Sequence, residues 1–313
     1  MAMVTAASIT NLHERIKLIL GTGAGQSGYG QLVNSTSVSN QSGTVNSTDL
    51  NNIYTDMISA RIHQVGPGNA GISQVIQDLN VIAQTTSYFV DNLGNVTADP
   101  DGVLKGIDSF SRLLSFIETD KFLIHPSQAV IASGIVDSLS DNWNGLRFQE
   151  VSVTFDDEDH RRHYFNTGSM FRISATNSAA STPKGLDWAA LCAEIGIVSF
   201  GYGSTVSSGD GSGTQLGNYQ LTTSYQTVYQ KIGGGTYSGI YAGNIYTIKA
   251  RFDGLNPNVI LFRIEFNDIV FDNLVDNNVD GRLDSVIQQF RADGAAVSVT
   301  APSFNNESVL RIV

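Results

Sequence analysis

Apolar residues recur at helical spacing through the first half of the chain and at strand spacing through the second. Leu12, Ile16, Ile19 and Leu20 share one helical face. Asn11 is placed to cap that helix with Glu14 three residues on, and Gly21 to stop it. A second helix is predicted from Ser47, with Leu50, Ile53, Met57, Ile58 and Ile62 on one stripe, and Gly66-Pro67 ends it. Two further helical faces follow, one through Ile72, Val75, Ile76, Leu79 and Ile82, the other through Val103, Leu104, Ile107, Phe110, Leu114 and Ile117. A last one is predicted over Val130, Ile131, Ile135 and Leu139, with Ser127 as its cap after Pro126.

From Arg147 the period changes to two. Val151, Val153 and Phe155 alternate with polar residues, as do Phe171, Ile173 and Ala175. Tyr246, Ile248, Ala250 and Phe252 face one way, against Thr247, Lys249 and Arg251. Across Asn256-Pro257-Asn258, Phe262, Ile264 and Phe266 alternate with Arg263 and Glu265, which predicts an antiparallel hairpin with one wet face. Val297, Val299 and Ala301 predict another strand, with Pro302 marking its end or an edge. A short helix is expected from Asp187 to Glu194. The fold class is therefore α+β, with N-terminal helical segments followed by a C-terminal antiparallel β-sandwich-like domain. The expected divisions are a helix-loop-helix over residues 1–66, a helical domain over 67–147 and the β-sandwich over 148–313.

Composition narrows the function. Only 15% of the 313 residues are charged, well under the roughly 25% usual for soluble domains. A surface poor in charge suits a subunit covered by neighbours, since interface cores are depleted of charge. The net charge of −11 argues against nucleic acid, whose phosphates demand clustered Lys and Arg, and against an anionic membrane as partner. One cysteine, Cys192, allows neither an intrachain disulfide nor a Cys-based zinc site. No apolar run approaches a transmembrane span and no secretory signal is evident, so synthesis and folding in a cytoplasm are expected.

Local chemistry is sparse. Gly23, Gly25 and Gly28 satisfy G-x-G-x-x-G, but a helix-like segment enters the loop where a dinucleotide site needs a strand. An ordered glycine turn anchored by Tyr29 is the better account. His160 and His163 stand three apart without a third ligand, and the acidic run from Asp156 to Asp159 is expected to pair with Arg161 and Arg162. His13, His63 and His125 are expected to be hydrogen-bonded structural residues. No G-x-S-x-G or H-E-x-x-H occurs, so the chain is read as no enzyme and as using no organic cofactor. Asp276, Asn278 and Asp280 are spaced like the first ligands of a calcium loop, with Gly281 at the turn and Asp284 at the ninth position. The twelfth position is Ile287 where a bidentate Glu belongs. Structural calcium and a polar turn are both open at this point.

Three stretches resemble virion structural proteins of tailed, contractile-tailed bacteriophages of aquatic bacteria. They are the glycine loop ending in Gly28-Tyr29-Gly30-Gln31, the helix from Ser47 through Asp49, Tyr54 and Arg61 to Gln64, and the segment from His163 through Phe165 and Met170 to Ser174. Asn267-Asp268 and the run from Asn278 to Gly281 add to the likeness. The resemblance implies a non-enzymatic part of the virion, in neck, collar, tail, baseplate or fibre, made in the host cytoplasm. It would work by homo-oligomerisation and by docking to other virion proteins. The expected assembly contact is the N-terminal helix-loop-helix around Leu12, Tyr29 and Ile53. The alternative is a receptor- or carbohydrate-binding module of a tail appendage that takes a host glycan. Tyr202, Tyr219, Tyr225, Tyr229, Tyr237, Tyr241 and Tyr246 are its candidate platform. A tail-associated hydrolase is a distant third reading.

Overall fold

The apolar stripes predicted for the first helices meet one another. The computed structural model describes residues 6–38, 45, 47–67, 88–90, 96–98, 107–235, 238–269 and 278–311. These residues form two compact units. The first comprises residues 1–130, 162–168 and 291–299, and the second residues 131–161, 169–290 and 300–313.

In the first unit, α1 (Ala6–Leu20), α2 (Ser47–Val65) and α3 (Ile107–Thr119) pack together. Ile9, Leu12, Ile16, Ile53, Met57, Leu113, Leu114 and Ile117 fill the space between them. Arg15 on α1 reaches Glu118 on α3 through two hydrogen bonds of 2.8 Å. Asp56 on α2 accepts from the backbone of Asn34 and Ser35 and so ties down the connecting chain. Asn11 lies inside α1 (Ala6–Leu20) and therefore does not cap it. A short hairpin of β1 (Tyr88–Val90) and β2 (Val96–Ala98) belongs to the same unit. The helical face predicted over residues 72–82 lies outside the described residues. Because α3 shares a unit with α1 and α2, residue 66/67 does not separate compact bodies.

The second unit is built on two antiparallel sheets. The six-stranded sheet runs β13 (Ser303–Arg311), β4 (Leu146–Thr154), β11 (Val259–Asn267), β10 (Ile245–Phe252), β9 (Gln226–Ile232), β8 (Ser212–Gly213). The five-stranded sheet runs β3 (Ala129–Leu139), β12 (Arg282–Ala292), β5 (Met170–Ser178), β6 (Val198–Phe200), β7 (Thr205–Ser207). The predicted hairpin is β10/β11, with Ile248 opposite Ile264 and Ala250 opposite Phe262. Tyr246, Ile248, Ala250, Phe262, Ile264 and Phe266 of this hairpin, and Val151 and Val153 of β4, are fully buried. Phe171 of β5 meets Phe155, Phe262 and Phe304 of the facing sheet at ring separations of 6.2, 5.8 and 5.8 Å, and Phe200 of β6 meets Phe262 at 5.1 Å. Alternation puts these rings on one face of each sheet, and their contact makes the sandwich.

Three local expectations are corrected. Residues 129–139 form strand β3, not a helix. Val130, Ile131, Ile135 and Val136 are β-branched and Gly134 weakens a helix, so the segment pairs with β12. Ser127 sits inside the 3₁₀ turn Pro126–Gln128, which His125 caps by accepting from the Ser127 N–H. Residues 297–301 form no strand; an isolated bridge joins Asp293 and Ser298, and Pro302 precedes β13 instead of ending a strand. The acidic run opens a helix, α4 (Glu158–Asn166), because Asp157 accepts the His160 N–H at 2.6 Å and Glu158 and Asp159 fall in the first turn.

Phe171→Ala removes the ring that meets Phe155, Phe262 and Phe304 across the sandwich. It is expected to cost about 3–5 kcal/mol in urea unfolding. A loss below about 1 kcal/mol would show that the sheets are held elsewhere.

Candidate functional site

The wet face of the six-stranded sheet is where this molecule concentrates charge. Residues that alternate outward on β4, β11 and β10 fall into cross-strand rows because the register is continuous. Glu150 sits opposite Arg263 and Arg263 opposite Lys249. Arg263 donates from Nε and Nη2 to Oε1 of Glu150 at 2.8 and 2.6 Å, and the Tyr225 hydroxyl donates to the same oxygen at 2.8 Å. Lys249 pairs with Glu265 at 2.8 Å. Burial, then the Glu150 carboxylate, pushes the Tyr225 phenol up, so it stays a neutral donor. The guanidinium carbons of Arg251 and Arg263 lie 4.9 and 4.8 Å from the Tyr225 ring centre.

Beside this ladder lies a groove of about 400 Å³. Val259 and Leu261 form its floor, Tyr225, Arg251 and Asp253 one side, and Ser152, Thr154 and Glu307 the other. Asp253 accepts from the Asn256 amide and the Leu255 N–H, in that order of effect, and these hold its carboxyl below the ordinary range. The Ser152 hydroxyl donates to Glu307.

The glycine loop serves a different purpose. Gly23, Gly25, Gly28 and Gly30 all take positive φ, which only glycine adopts without strain. The turn exposes carbonyl oxygens, and these are filled from within the same unit. Arg162 donates to the Thr22 and Ser27 carbonyls, and Asn166 to those of Ser27 and Gly28. A helix, α1, enters the loop and its oxygens meet a guanidinium, so the geometry is the reverse of an anion cradle. Tyr29 anchors the turn, its hydroxyl donating to the Lys121 carbonyl at 2.7 Å and its ring edge-on to His63.

Leu12, Tyr29 and Ile53 are each about 1% exposed and belong to the interior of the first unit. Leu18 and Leu32 are the exposed apolar side chains of that region, at 52% and 94%. Asp276 and Tyr237 lie outside the described residues. Asn278 is exposed. Asp280 accepts from the N–H and hydroxyl of both Ser181 and Thr182. It thereby fastens the start of α5 (Pro183–Ile195), whose N-cap is Thr182 and whose first residue is Pro183. Asp268 is buried in a 2.6 Å ion pair with Lys184. No cluster of three His, Cys, Asp or Glu side chains suited to a metal occurs among the described residues.

The histidines are separately engaged. His63 gives its Nε2 to the Thr167 carbonyl at 2.7 Å, and burial, only partly offset by that bond, lowers it to about 4. His160 bonds the Asp156 N–H and the Thr300 carbonyl, and His163 the Thr22 carbonyl. Arg161 pairs with Glu158 at 3.1 Å, as expected of the acidic run, whereas Arg162 serves the glycine loop. Among the tyrosines, Tyr229, Tyr241 and Tyr246 are core residues. Tyr202 and Tyr219 stack at 5.6 Å, and Tyr225 borders the groove.

No protein-family model, no curated protein and no solved structure matches this chain.

Burial opposes ionisation of Asp280, but its hydrogen bonds with Thr182 and Ser181 outweigh it and lower the carboxyl to about 2. A depressed carboxyl stabilises the fold above its unfolded pKa of about 3.9 and loses that contribution as pH falls toward 2. Asp280→Asn should therefore lower the melting temperature near neutral pH and match the parent near pH 2. An equal deficit at both pH values would mean that the carboxylate charge is not what fastens α5.

Proposed function

We propose that this chain is a non-enzymatic structural subunit of a tailed-phage virion that acts by pairing with copies of itself and by docking to other virion proteins. Strand β3 is the observation that carries this reading. Sheet edges are templates for pairing with another chain, and proteins that must stay single blunt them with short strands, bulges or Lys and Pro. At one end of the sandwich β7 and β8 are three and two residues long, and two backbone hydrogen bonds between Thr205 and Thr214 join them. At the other end β13 carries a bulge at Glu307. β3 is eleven residues long and contains neither Lys nor Pro. Its one charge, Asp137, is turned onto the buried Arg147. Ile131 and Val136 are each 55% exposed, and the outer edge of β3 pairs with no strand among the described residues.

Such an edge is suited to β-augmentation by a second copy, with main-chain hydrogen bonds for affinity and side chains for register. The low charge of the chain fits a surface covered in the assembled particle. Docking to other virion proteins by the N-terminal region falls to exposed Leu18 and Leu32, since Leu12, Tyr29 and Ile53 are spent on the interior. Deleting the first 66 residues would strip α3 of its partners and unfold the unit, so point variants are the cleaner probe.

Lysines on the edge should block pairing without unfolding the strand. The Ile131→Lys/Val136→Lys variant is expected to weaken self-association at least about tenfold, read as a fall in mass by light scattering with an unchanged circular dichroism spectrum. Equal masses for variant and parent would exclude β3 as the contact.

A further inference from the structure

We propose that the groove on the wet face of the six-stranded sheet binds a neutral oligosaccharide. This goes beyond the assembly reading and is independent of it, because the groove lies on a sheet face and the assembly contact on an edge. The groove's volume of about 400 Å³ lies within the roughly 300–1,000 Å³ span of small-ligand sites. Its floor is apolar and its sides are polar, an arrangement matched to a ligand with C–H faces and a rim of hydroxyls.

The charge of the lining decides the class. Glu150 is held by Arg263 and Tyr225, which leaves Arg251 with Asp253 on its own side of the groove and Glu307 across the floor. Two carboxylates against one guanidinium repel phosphates, sulfates and uronates. The guanidinium in turn disfavours a simple cation. A hydroxyl both donates and accepts, so neighbouring hydroxyls of one sugar ring can satisfy carboxylate and guanidinium together.

The sheet is deformed on both flanks of the groove. In β13, Glu307 is the extra residue between the pairs Asn306–Val151 and Ser308–Glu150. In β9, the register passes from Ile248–Tyr229 to Lys249–Thr227, which leaves Val228 over and brings Tyr225 across from Arg251. Bulges of this kind re-aim side chains at the rims of binding sites. Without the two extra residues, the positions of Glu307 and Tyr225 along the groove would fall to their sequence neighbours.

The test is a printed array of neutral and acidic oligosaccharides probed with the full chain, followed by calorimetric titration of the strongest neutral glycan. Arg251→Ala and Glu307→Gln are expected each to weaken that glycan at least about tenfold, with the melting temperature and oligomer mass unchanged. The isosteric Glu307→Gln change at an exposed position keeps the test open if Arg251→Ala disturbs the sheet. Absence of binding to every neutral glycan would overturn the proposal. So would a preference for acidic glycans, or full affinity in both variants.

Discussion

Phe171 sits where the two sheets are held to one another, and much of the second unit follows from its position. Its ring is fully buried and meets Phe155, Phe262 and Phe304 across the sandwich. The edge-to-face contacts, with Phe262 and Phe304, add about 0.5–1.5 kcal/mol each beyond the area they bury. A strand has only two faces. Once Phe262 and its inward neighbours are committed to the seam, Arg263 and Glu265 must point outward, and with them Glu150, Lys249 and Arg251. The ion-pair ladder and the groove therefore occupy the face that the aromatic seam leaves over. A one-residue slip of β11 would exchange the two sets and bury the charges.

Edges follow from the same seam. A sandwich closed by two short strands at one end must still end somewhere at the other. There β13 is blunted by the bulge at Glu307, whereas β3 stays long and apolar. Gly134 brings the β3 backbone so near the Ile287 carbonyl that a Cβ would collide with it, so a side chain at this position would push β3 away from β12. Ile131 and Val136 of this strand are both exposed. Face and edge thus support separate proposals, one for a ligand and one for a copy of the chain.

The α+β class, the β10/β11 hairpin and the helical stripes of α1 and α2 were legible because each rests on a period that side chains impose directly. The wet face was legible in the same way, as the alternation of Lys249 and Arg251 against Tyr246 and Ile248. Residues 129–139 misled because four β-branched residues can satisfy a helical stripe and a strand alike, and only pairing with β12 decides between them. Tyr225 was among the tyrosines the sequence offers as a sugar platform, but Glu307 could not be seen as a groove residue, since bulges shift register without leaving a mark in composition. Leu12, Tyr29 and Ile53, expected at an assembly contact, are buried inside the first unit; an apolar cluster reads the same whether it faces a partner or the rest of its own chain. Asp280 shows the converse: calcium-loop spacing singled it out, and in the fold its carboxylate is bonded to Ser181 and Thr182.

Amide hydrogen exchange across β3, followed from dilute to concentrated protein, tests the assembly account most directly. Pairing with a second copy predicts that alternate amides between Ala129 and Leu139, those pointing away from β12, become protected as concentration rises. The amides that already face β12 should stay protected throughout. Outward amides that exchange equally fast at every concentration would contradict the account, because the edge would then be facing water and not another chain.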